Sequence, residues 1–90
     1  MLVALSKDNR LVLLETVPFH GAWKYYKVLQ DLRDLVGFNG DEIAAWDEVS
    51  SRRFEVEAAA VEITVATLDD LRDAGRITPQ QEALYAILAA

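Results

Sequence analysis

Ninety residues, of which 52% are hydrophobic and 27% charged, suffice for one packed domain, are too few for two, and lie outside the low-hydrophobicity signature of disorder. The formal charge of −6 belongs to the second half: residues 1–40 hold 5 basic and 4 acidic side chains (+1), residues 41–90 hold 4 basic and 11 acidic (−7). A field of that sign repels phosphate backbones and suits a basic protein surface, or it simply keeps the chain in solution. With no cysteine there is no disulfide staple and no thiolate metal site, which fits a reducing, cytoplasmic compartment.

The opening Met1–Leu5 is followed at once by Lys7, Asp8 and Arg10 and reads as no secretion signal. The longest apolar run, Ala83–Ala90, is far short of the ~20 residues that span a bilayer. Residues 1–17 read as a β-hairpin: the apolar runs Leu2–Leu5 and Leu11–Val17 flank Ser6, Lys7, Asp8, Asn9 and Arg10, a cluster with turn-forming residues. Pro18 and Gly21 then break the pattern. From Ala22 to Val36, Trp23, Tyr26, Leu29, Leu32 and Val36 recur at spacings of three and four, one face of an amphipathic helix that Gly37 ends.

Asn39 and Glu42 mark the next helix start, with Asp41 as an alternative cap. The expectation is one long helix over 41–74, with a seam through Phe54, Ala58, Val61, Val65 and Leu68 and with Glu55, Glu62 and Asp69 every seven residues elsewhere on its circumference. The alternative is a strand over 54–66, since Phe54, Val56 and Ala58 alternate with Glu55 and Glu57 before the phase slips. Gly75 ends the element either way. Thr78, Pro79 and Gln81 then start a last, apolar helix over 79–89. The fold class expected is α+β and mainly helical: an N-terminal β-hairpin packed with three helices, the second one long.

No motif carries catalytic chemistry. One histidine, His20, and no calcium-loop pattern leave only carboxylates as metal ligands, and Asp69, Asp70 and Asp73 read as solvated surface acids. Four glycines, at 21, 37, 40 and 75, write no phosphate-binding loop, so no nucleotide cofactor is expected. Trp23, Lys24, Tyr25 and Lys27 interleave rings with cations, the pattern of a weak single-stranded nucleic-acid contact, but net charge and the nearly uncharged last helix oppose it. The favoured reading is a small non-enzymatic interaction domain, an adaptor, inhibitor or assembly factor, that shows an acidic helical face (Glu55, Glu62, Asp69) and an aromatic anchor (Tyr25) to a basic partner protein. Its apolar faces, the last helix above all, are expected to join copies of the chain into a homo-oligomer. The alternative at protein level is an acidic mimic that occupies the basic cleft of a DNA- or RNA-binding protein.

Overall fold

The computed structural model describes residues 1–17 and 25–90. The chain is mainly helical α+β, with a two-stranded antiparallel sheet packed against helices. In order the elements are β1 (Leu2–Leu5), α1 (Lys7–Thr16), α2 (Tyr26–Val36), α3 (Gly40–Ala44), a 3-10 turn (Trp46–Glu48), β2 (Arg52–Glu55), α4 (Ala58–Asp73) and α5 (Pro79–Leu88).

The strand that pairs with β1 is not Leu11–Val17 but β2, in the register Leu2↔Glu55, Val3↔Phe54, Ala4↔Arg53 and Leu5↔Arg52. Residues 7–16 are helix because the polar cluster before them is a cap, not a turn. Ser6 Oγ accepts from the Asn9 amide at 3.1 Å and Asn9 Oδ1 accepts from the Ser6 amide at 2.9 Å, which satisfies two amides a helix start leaves orphaned. The four-residue run Leu11, Val12, Leu13, Leu14 lacks strand alternation because α1 is wrapped on several sides: Leu13 is buried and the other three are half-buried.

The long helix expected over 41–74 is likewise replaced by several elements. A straight helix of that length would run roughly 50 Å, against a longest molecular dimension of 36 Å. The capping box of Asn39 and Glu42 forms as read, but Ala45 leaves helical space at φ −114°, ψ 45° and Trp46–Glu48 closes as a single tight turn. The strand alternative holds for its first residues only. Phe54 and Val56 alternate into the core beside Val3 and Leu5, while the alanines from Ala58 onward start α4. The stripe α4 buries is Ala60, Val61, Thr64 and Leu68, so Val61 and Leu68 of the expected seam serve the chain's own interior and Ala58 lies outside it. Thr64, deep in this stripe, donates its hydroxyl to the Ala60 carbonyl at 2.8 Å and leaves no polar atom stranded.

The punctuation around α4 and α5 follows the sequence. Gly75 sits at φ +68°, where a side chain is strained, and lets the Gly75 amide reach Arg72 O at 3.0 Å and the Arg76 amide reach Leu71 O at 2.8 Å. Thr78 and Gln81 then form a reciprocal cap with Pro79 in the first turn. Leu84 and Leu88 of α5 are buried in the core, where α5 packs on α1 and α4, while Tyr85 and Ile87 are half-buried and Ala83 and Ala86 exposed. On α2 the predicted face holds at Leu29, Leu32 and Val36, whereas Tyr26 is exposed and Trp23 lies outside the described residues.

One cation ties these elements together. Arg10, at 0% exposure, donates Nε to Val36 O at 2.9 Å and Nη2 to Gly37 O at 2.8 Å, the open carbonyls at the end of α2. Its Nη1 and Nη2 grip the Glu42 carboxylate at 2.5 and 3.0 Å, and its guanidinium lies 4.0 Å from the Phe38 ring and 5.2 Å from the Phe54 ring. Phe38 in turn packs on Trp46, which carries Lys7 at 5.0 Å. A residue that reads as part of a turn is the joint of α1, α2, α3 and β2.

Candidate protein-interaction surface

The outward side of α4 carries its acids because its inward side is committed to Ala60, Val61, Thr64 and Leu68. Beside it, the start of α2 brings Tyr25 over the same helix. Tyr25, Ala59, Glu62, Ile63, Ala66, Thr67 and Asp70 line an open groove of about 400 Å³, with no lysine or arginine among its described lining residues. Its make-up is an aromatic ring, an apolar floor of alanines and isoleucine, and two carboxylates. That combination is chemically complementary to a long cationic side chain, with an apolar floor suited to an aliphatic stem and carboxylates suited to a cationic head group.

The predicted partner-binding residues are only partly brought together. Tyr25 and Glu62 share the groove. Glu55 lies outside it because residues 52–55 are strand, not helix; its Oε1 accepts from the Met1 ammonium at 3.0 Å while the side chain keeps 76% of its exposure. Asp69 faces α5. Its carboxylate hydrogen-bonds Tyr85 and, with burial, raises that phenol above its ordinary value. Arg72 lies 4.5 Å over the Tyr85 ring and clasps Glu82 at 2.9 and 3.2 Å, so this corner is an intramolecular fastening of α4 to α5. Asp70, passed over in the seven-residue spacing, lines the groove instead. A 3.6-residue reading through Ala59, Ile63, Ala66 and Asp70 finds it.

For the nucleic-acid reading, Trp23, Lys24 and His20 lie outside the described residues. Lys27 is engaged with Asp31 at 2.7 Å, one turn along the helix, and that hydrogen bond and charge raise its pKa. Among the described residues no cluster of acids or histidines is placed to hold a metal ion, and no helix is long and apolar enough to cross a membrane.

A second open concavity, about 390 Å³, surrounds α3 and is lined by Asp41, Glu42, Glu48, Ser50 and Arg52 among others. The acid at its base is spoken for: the Arg10 guanidinium, then the Asn39 amide, hold Glu42 down to about 2. No family model, curated protein or solved structure matches this chain.

Proposed function

We propose that the chain is a small non-enzymatic protein–protein interaction domain that offers the groove of Tyr25, Glu62 and Asp70 to a basic segment of a partner, as an adaptor, inhibitor or assembly factor would. The observation that carries this reading is the pairing of an exposed ring with two carboxylates over an apolar floor, the carboxylates and the floor belonging to the half of the sequence that holds the charge of −7. Acids scattered for solubility alone would have no need of an aromatic wall or an apolar floor. The lack of cysteine suits work in a reducing, cytoplasmic setting.

The test is a titration of the isotope-labelled chain with an arginine-rich peptide at physiological salt, followed by amide shifts. The amides of Glu62, Ala66 and Asp70 are expected to move, and the charge reversals Glu62→Lys and Asp70→Lys together to weaken binding at least about tenfold, as lost charge-assisted contacts do. Unchanged affinity in that double variant, or shifts confined to other elements, refutes the reading. Competition by the chain against DNA for a basic DNA-binding protein separates simple basic-segment recognition from nucleic-acid mimicry.

A further inference from the structure

The geometry points to a second interaction surface, independent of the α4 groove: the open edge of β2 pairs with the same edge of a second copy of this chain, about a two-fold axis at Phe54. Met1 and Val56 exchange both backbone hydrogen bonds, each at 2.7 Å. In an antiparallel pair such exchange alternates along the strands, so with the observed register Phe54 and Arg52 face β1 while the N–H and C=O of Arg53 and Glu55 point away from it. Among the described residues no third strand takes them up, and Arg53 and Glu55 are both exposed. An edge of this kind is a ready template for another strand.

The chemistry of the edge selects the occupant. A two-fold axis normal to the sheet pairs residues whose numbers have an even sum, and centring it on Phe54 sets Arg53 opposite Glu55 of the second copy and Glu55 opposite its Arg53. Those are the residues whose amides and carbonyls point outward, so each such pair exchanges two backbone bonds. Their side chains share the exposed face of the sheet, where opposite charges attract. Shifting the axis by one residue sets Arg53 against Arg53 or Glu55 against Glu55, so the charges also fix the register. Arg53 has no ion-pair partner among the described residues.

On the inner face, the same register sets Arg52 of the second copy opposite Val56. There a groove of about 250 Å³ runs between β2 and α2, with Val28 and Leu35 offering apolar wall and Asp31 and Glu57 offering charge. Leu35 is 39% exposed, so apolar surface remains to be covered there. The product is a four-stranded antiparallel sheet in the order β1-β2-β2-β1. A four-residue edge with this flank falls below the roughly 1,200 Å² of a stable complex, so the association is reversible and concentration-dependent, in the range of about 10 µM to 1 mM.

Sedimentation equilibrium across that range tests the proposal. The wild-type mass is expected to rise from 10.1 kDa toward twice that value. Arg53→Glu and Glu55→Arg each place like charges opposite one another and are expected to weaken association about tenfold or more. An equimolar mixture of the two variants makes every outer pair opposite in sign and is expected to restore the doubled mass. Arg53→Pro removes an amide that points outward, so it leaves the pairing with β1 intact, as circular dichroism will register, yet abolishes the dimer. Glu62→Lys, in the other surface, leaves the mass behaviour unchanged. A wild-type chain that stays at 10.1 kDa throughout, single reversals that associate as tightly as wild type, or a mixture that stays monomeric each overturns the proposal.

Discussion

Replacing Arg10 by methionine isolates what the buried cation does, because methionine fills the space of the aliphatic stem with an apolar side chain that adapts to its surroundings. What it removes is polar: two donors to Glu42, one to Val36 O and one to Gly37 O. Taking one partner from a buried ion pair costs about 3–5 kcal/mol. Glu42 keeps 17% of its side-chain exposure, so water softens the loss on that side, while the two carbonyls of the α2 terminus lose the side-chain bonds Arg10 donates to them, at about 1 kcal/mol or more each. The expected cost of Arg10→Met is about 4 kcal/mol, a large share of the 5–15 kcal/mol typical of a domain. For a chain of this size that lowers Tm by roughly 15–30 °C. Urea and thermal unfolding followed by circular dichroism read it directly. Combining Arg10→Met with Glu42→Gln should cost less than the sum of the two, by about 1–2 kcal/mol, since both break one link. A single variant within about 1 kcal/mol of wild type would mean that the network contributes nothing beyond packing, and the reasoning would be refuted.

The same link predicts acid lability. A carboxyl held down from an ordinary 4.5 to about 2 stabilises the folded chain fully above pH 4.5 and loses that contribution as pH falls through 2, so Tm of the wild type should drop across this window more steeply than Tm of Glu42→Gln. Gly75→Ala should destabilise by about 1 kcal/mol in chemical unfolding through backbone strain alone, since no atom lies within 4 Å of the added Cβ. Leu68→Ala, at a fully buried position of α4, should cost about 3 kcal/mol, and a smaller loss would mean that the site collapses around the missing methyls.

What could be read from the residues was local. Thr78, Pro79 and Gln81, Asn39 with Glu42, Gly75, and the spacing of Leu29, Leu32 and Val36 each encode their element within one or two turns, and each appears where its chemistry puts it. Two kinds of information were out of reach. The first is distant pairing: no property of Leu2–Leu5 names Arg52–Glu55 as its partner, and local pattern points instead to the nearest apolar run as the second strand. The second is a local signal in an unusual form. The cap before α1 uses asparagine at the third position instead of glutamate or glutamine, and it stands ahead of four consecutive apolar residues that mimic a buried strand. The burial of Arg10 follows from that segment's conformation: in a loop it would be solvated, whereas in α1 it is enclosed. For the candidate surface, the acidity of the second half and the aromatic at Tyr25 were legible, whereas the separation of Glu62 from Glu55 and Asp69 depends on where α4 begins and on which of its sides α5 occupies.

The pairing of β1 with β2, and the packing of α1 against α5, carry a consequence for how the chain comes to be folded. As these residues leave the ribosome, β1 and α1 emerge before the other elements, yet β1 has no strand partner until Arg52–Glu55 have appeared and α1 lacks its packing against α5 until Leu84 and Leu88 follow. The helices can form locally and fast, but the two closures that complete the core each span most of the sequence. The entropic cost of closing such a loop rises only slowly with its length, so the penalty is one of timing more than of final stability. Until then the apolar strand Leu2–Leu5 waits unpaired, with the charged Lys7 and Asp8 close behind it, residue types that oppose pairing with a neighbouring chain.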